Sequence, residues 1–161
     1  MKAISLWQPW ASLVATGAKK IETRSWPTRH RGPLAIHAAK RYPKKFQALE
    51  NQEPFYSALR PGGIYKYPSF SCGAVVAICK LEDILFITKK GLHAFTTKYG
   101  GLSYNPEPKL PLPTEQEFVF GDYTPGRFAW ILGDVQSLPK SIPAKGNQGL
   151  WELEGVAFNG T

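Results

Sequence analysis

A small α+β fold dominated by short strands is predicted by three features of the 161-residue chain. Its 14 prolines and 15 glycines cut it into short elements and leave little room for long helices. The stretch Gly73 to Ile87 gathers Val75, Val76, Ile78, Leu81, Ile84, Leu85, Phe86 and Ile87 around Glu82 and Asp83, the pattern of core strands. The length suits one domain, 1–161, whose core can form without metal or disulfide support.

Taken in order, Lys2 to Leu6 reads as a strand, and Pro9 fits the first position of a brief helix over residues 9 to 16, where its missing N–H costs nothing. Leu13 and Val14 follow Trp10 at helical spacing and give that helix one apolar face. Gly17 suits the left-handed residue that ends a helix. A strand follows in which Lys20, Glu22 and Arg24 share one side, with Ile21 and Thr23 on the other. Pro27 to Gly32 is a basic loop holding Arg29, His30 and Arg31, and Pro33 to Ala38 is a buried strand ending near a structural His37. Pro43 to Leu59 is one helix broken at Pro54, and Pro61-Gly62-Gly63 has turn chemistry.

Beyond the 73–87 stretch, read as two strands or one with a bend, Gly100-Gly101 and Pro106, Pro108, Pro111 and Pro113 predict a long irregular insertion at about 88–126. At most a short helix near Leu92 to Tyr99 is expected inside it. Arg127 to Val135 resumes strand character, Pro139 and Pro143 lead to a Lys145-Gly146-Asn147-Gln148-Gly149 loop able to present N–H groups and a lysine to an anion, and Leu150 to Leu153 closes the fold. Cys72 and Cys79 form no metal-binding pattern and are expected as reduced thiols. The N-terminus faintly imitates a signal peptide, but Trp7-Gln8-Pro9-Trp10 interrupts it, and a soluble, untargeted cytoplasmic protein with no membrane association is expected.

Charge is concentrated at one end of the sequence. Residues 1 to 45 hold ten Lys and Arg against the single acid Glu22, a surplus of nine, so a net +8 leaves the remainder at −1. Such a block attracts polyanions, and Trp7, Trp10 and Trp26 lie inside it, where an indole can stack on a base while a cation holds its phosphate. The pattern therefore points to nucleic acid.

Leu6-Trp7-Gln8-Pro9-Trp10-Ala11-Ser12-Leu13, Gly17-Ala18-Lys19-Lys20-Ile21-Glu22-Thr23-Arg24-Ser25-Trp26 and Arg31-Gly32-Pro33-Leu34 together resemble the ASCH domain family, whose G-x-K-x-x-E-x-R signature falls on Gly17, Lys19, Glu22 and Arg24. The likeness also takes in Gly73 to Leu85 and Pro143 to Leu150. It implies a small PUA-like β-barrel flanked by short helices, with the signature residues meeting in a cleft, and it implies recognition of nucleic acid or nucleotides. One catalytic branch of the family removes acetyl from N4-acetylcytidine with a lysine at the position of Lys19 and a threonine where this chain has Glu22; another is assigned ribonuclease activity.

Two functions fit these residues. In the favoured one the protein binds nucleic acid, single-stranded RNA before DNA, without a cofactor: Lys19, Lys20, Arg24, Arg29, Arg31 and Lys145 hold phosphates, Trp7, Trp10 or Trp26 stacks on a base, and Glu22 orients a cation or reads an exocyclic amine. The alternative is a small hydrolase acting on a modified nucleoside or on single-stranded RNA, with Lys19 and Glu22 as its catalytic pair and no metal.

Overall fold

The computed structural model describes residues 1–63, 71–98 and 100–155. In chain order the elements are β1 (Lys2–Leu6), α1 (Trp10–Ala15), β2 (Ile21–Arg24), β3 (Gly32–Ala38), α2 (Lys44–Gln47), a 3-10 turn (Ala48–Asn51), α3 (Phe55–Leu59), a second 3-10 turn (Pro61–Gly63), β4 (Ala74–Thr88), β5 (Gly91–His93), β6 (Phe95–Lys98), β7 (Gly101–Tyr104), α4 (Glu115–Val119), β8 (Phe128–Pro143) and β9 (Leu150–Glu152). They form two compact units, one of residues 1–18, 33–80 and 134–161, the other of residues 19–32 and 81–133. Among the described residues strands outweigh four short helices, so the fold class is α+β, as expected.

In the first unit the strand order is β4-β3-β1-β9. β1 runs parallel to β3, placing Ala3 opposite Ala35 and Ser5 opposite His37, and antiparallel to β9, placing Ala3 opposite Trp151. Ala3, Ala35, Val75, Ile78, Trp151 and Leu153 form its core, with small alanines at the centre letting the Trp151 indole lie against the sheet. Helix α1 buries Leu13 and Val14, and its start is held by the buried Gln8. The Gln8 Oε1 accepts from the Ser12 N–H at 3.1 Å while its Nε2 donates to the Ser71 carbonyl at 3.0 Å. Gly17 has a φ of 80°, and its N–H bonds the Val14 carbonyl, so it ends α1 as predicted.

In the second unit β2 lies antiparallel to β8, with Glu22 opposite Trp130 and Arg24 opposite Phe128, and β5 pairs with β4. Leu85, Ile87, Leu92, Tyr123 and Ala129 form the core, joined by Ile21 and Ile131.

Three expectations are corrected, and one open alternative is resolved. Among the described residues the strand path closes on itself in neither unit, so the sheet is open where a barrel was implied. The 73–87 stretch, read as two strands or one with a bend, is the single strand β4. The Leu92 to Tyr99 region holds strands, not a helix, up to Lys98; Tyr99 itself lies outside the described residues. The β-branched Thr96 and Thr97 favour a strand, and the φ of 77° at Gly100 serves the turn of the β6-β7 hairpin. Finally, β8 does not stop at Val135 but runs through Pro139 to Pro143. Asp134 takes a φ of 47° within it, and both prolines are exposed, where a missing N–H is tolerated.

Candidate nucleic-acid interface

The segment predicted as the centre of the site, Lys19 to Arg24, lies in the second unit. β2 is too short to bury a face by itself, so what fixes its side chains is what surrounds it. Lys19 is 0% exposed. Its ammonium donates to the Ile21 carbonyl at 2.5 Å and the Phe120 carbonyl at 3.0 Å, and it lies 3.5 Å from Glu22 Oε2. Three donors thus face three acceptors, the arrangement a buried ammonium requires. Glu22 uses its other oxygen on Arg24, whose Nε is 3.1 Å from Oε1. The neighbouring Lys20 is exposed.

Glu117 of α4 completes the frame. It is buried, and its carboxylate accepts from the Lys20 N–H at 3.1 and 3.0 Å and from the Ile21 N–H at 2.9 Å, fixing the backbone where β2 begins. Thr23, on the opposite side of the strand from Glu22 and Arg24, accepts from the Asp122 N–H at 2.9 Å. Burial pushes the Tyr123 hydroxyl well above the ordinary phenol value, and the negative charges of Glu117 and Glu22 add to it. Tyr123 therefore stays a neutral phenol in this acidic, enclosed setting.

The other predicted cations and indoles are placed as follows. Arg29 is exposed. Arg31 donates to the Thr28 and His30 carbonyls at 3.1 and 2.9 Å and to Asp83 at 3.3 Å, a carboxylate that Lys109 also reaches at 2.5 Å. Burial alone would raise the Asp83 carboxyl, but the Lys109 hydrogen bond, the Ile84 N–H and the two cationic charges outweigh it and hold the group below the usual range. Trp26 packs edge-on against Trp130 with ring centres 4.9 Å apart, and its carbonyl accepts from the Trp130 indole N–H at 3.3 Å. Its ring is part of the packing of this unit.

Trp7, Trp10 and Lys145 belong to the first unit. Trp10 is wedged edge-on between Phe46, at 4.8 Å, and Phe55, at 6.3 Å. Trp7 is 46% exposed, the most open of the three predicted indoles. Lys145 is exposed on a loop whose backbone is pinned from below. His37 Nε2 bonds the Ala144 carbonyl at 3.0 Å, its Nδ1 meets the Ser5 hydroxyl at 3.1 Å, and that hydroxyl accepts from the Trp151 indole N–H at 3.2 Å. Burial lowers the His37 pKa, against a smaller opposing effect of the Ala144 carbonyl, so the ring is neutral and structural, as the sequence suggested.

The sequence reading missed Glu117, Phe120 and Phe46. Thr114-x-x-Glu117 is the pattern of a helix start, and Thr114 does cap α4, its Oγ1 accepting from the Glu117 N–H at 3.4 Å. That signal locates α4 but not the use of its carboxylate on a strand 97 residues away. Phe46 follows the basic run directly, and its aromatic neighbours were the available cue.

The architecture is of the α+β class, with exposed cations in each unit, and comparison with known proteins gives the chain a family. The sequence model of the ASCH domain matches residues 4–132. The chain belongs to the ASCH domain family, which is associated in general with RNA binding. Activating signal cointegrator 1 of Mus musculus and of Homo sapiens are each 29% identical to it over 158 residues. Those residues are 98% of this chain but 23% of either relative, so the chain spans about a quarter of their length. Crystal structures of the ASCH protein of Zymomonas mobilis, in unaltered and mutant forms, align at 18% identity and a TM-score of 0.47. The alignment covers 96% of this chain and 87% or 90% of theirs. Among the described residues no helix is long and apolar enough to cross a membrane.

Proposed function

We propose that this ASCH domain binds nucleic acid, single-stranded RNA in preference to DNA, and does so without catalysis. The observation that carries the reading is the placement of the N-terminal charge block: Lys20, Arg29, Arg31, Lys40, Arg41, Lys44 and Lys45 are all exposed, and of the ten cations only Lys19 is buried. Exposed cations neutralise phosphates and release counterions on binding. The hydrolase reading draws less support from the same geometry. A lysine acting as base or nucleophile needs a free lone pair, whereas the Lys19 ammonium is engaged by two carbonyls and a carboxylate.

A titration of labelled single-stranded RNA at two ionic strengths tests the proposal. With several phosphate contacts, a fourfold rise in salt should weaken binding by about a hundredfold or more. A salt-independent affinity, or turnover of N4-acetylcytidine that is lost in Glu22→Gln, would replace this reading with that of a small-molecule site.

A further inference from the structure

Within the first unit, one aromatic side chain is built outward. Trp7 follows β1 directly, and its carbonyl accepts from the Ala11 N–H at 3.1 Å, so its backbone is fixed by the first turn of α1. The next residue, Gln8, is 0% exposed and held at both ends of its amide. The Trp7 indole, nearly half exposed, is backed by Phe46, with ring centres 5.0 Å apart and planes at 43°. Phe46 is in turn braced edge-on by Trp10, and the Lys45 ammonium lies 4.8 Å from its ring centre. An exposed aromatic usually gains mobility; this one rests on a second ring that is itself packed against Trp10.

The segment that carries Phe46 bears one sign of charge. Lys40, Arg41, Lys44 and Lys45 are exposed, and no acidic residue occurs between Glu22 and Glu50. The Glu50 carboxylate accepts a hydrogen bond from the Tyr42 hydroxyl. A braced π-surface backed by a segment of exposed cations complements a ligand that joins an aromatic plane to an anionic linkage. A free anion would have no use for the indole, and a base in a duplex is already stacked on both faces.

We infer that Trp7, backed by Phe46, is a stacking platform for an unpaired nucleobase, with Arg41, Lys44 and Lys45 contacting the phosphates beside it. The inference rests on the nucleic-acid reading above and adds to it the location and the structural state of the bound strand. Stacking is tolerant of base identity, so the platform recognises single-strandedness rather than sequence.

The test measures anisotropy of two labelled single-stranded RNA oligonucleotides of equal length, one with bases and one abasic, against the full chain. Trp7→Ala should weaken the base-bearing strand about tenfold or more while leaving the abasic strand unchanged, and Trp7→Phe should restore most of the loss. Lys44→Ala with Lys45→Ala should weaken both strands and flatten the salt dependence. Equal binding of the base-bearing strand by wild type and Trp7→Ala would refute the platform while leaving nucleic-acid binding standing. Failure of wild type to bind either strand would remove both readings. Binding of vesicles containing phosphatidylserine, with a blue shift of Trp7 emission and no response to RNA, would reassign the surface to a membrane.

Discussion

Lys19 and Lys45 show how differently one residue type is used in the two units. In the second unit Lys19 is enclosed, and its charge is met by two carbonyls and the Glu22 carboxylate. In the first, Lys45 stands exposed beside an aromatic ring, with its charge available to a partner. A buried, fully bonded ammonium orders the backbone around it; an exposed one adds to a field that other molecules feel. The lysine in the family signature is thus engaged within the fold, whereas Lys20, Lys40, Lys44 and Lys45 outside it are exposed.

The largest effect expected from this contrast is on stability. Lys19→Ala leaves the Ile21 and Phe120 carbonyls without their donor and the Glu22 carboxylate with Arg24 as its remaining cation. Breaking a buried ion pair from one side costs about 3–5 kcal/mol, so the melting temperature should fall by roughly 10 °C or more. An unchanged melting temperature would mean that Lys19 is not enclosed as described. Lys45→Ala, by contrast, should leave the melting temperature nearly where it was.

Next in size is Gly146→Ala, in the loop that carries Lys145. A methyl group there would sit 2.6 Å from His37 Nδ1 and 2.8 Å from the Ser5 hydroxyl, both held in a hydrogen-bonded chain. Overpacking of this kind costs about 1–3 kcal/mol, and a chemical denaturation midpoint reads it directly. If the loop accepts the methyl group without loss, its backbone is not pinned against His37.

A smaller effect comes with pH. His37 is neutral in the fold, its pKa depressed below the ordinary 6.5 by burial, so the unfolded chain binds the proton more readily. The sign follows: the His37 contribution is complete above 6.5 and declines as pH falls from there toward the lowered value in the fold. Denaturation midpoints measured across that window should decline more steeply in the wild type than in His37→Gln. Parallel declines would assign the pH dependence to other groups.

What the sequence revealed depended on how local the cause was. Alternation along β2 was readable because the strand's period of two puts Glu22 and Arg24 on one side whatever lies elsewhere. Gly17 ends α1 for a reason internal to its own backbone, and the break of the 43–59 helix at Pro54 is equally local. The burial of Lys19 was not readable, because its partner Phe120 lies 101 residues away and Glu117, which fixes the adjacent backbone, lies in a segment that reads as irregular. The parallel pairing of β1 with β3 and the open strand paths are likewise long-range outcomes. Trp7 and Trp26 look alike in sequence, and what separates them is the ring each packs against: Phe46 leaves Trp7 open, while Trp130 takes Trp26 into the packing of its unit.

The smallest expected effect on stability is also the sharpest test of the contrast, because it compares adjacent lysines. Lys20 immediately follows Lys19, yet its side chain is exposed and what the fold uses is its backbone: the N–H bonds Glu117 and the carbonyl accepts from the Leu132 N–H at 2.9 Å. Replacing the side chain by Ala keeps both backbone bonds, so Lys20→Ala should change stability by no more than about 0.5 kcal/mol. Its effect on binding should run the other way. If Lys20 contacts a phosphate, its removal lowers affinity for single-stranded RNA and reduces the slope of log affinity against log salt by roughly 0.7, the share of one contact. Lys19→Ala, studied at a temperature where it remains folded, should leave that slope unchanged because its charge is already neutralised within the protein. A slope reduced by Lys19→Ala and untouched by Lys20→Ala would exchange their roles and make the signature lysine the ligand contact after all.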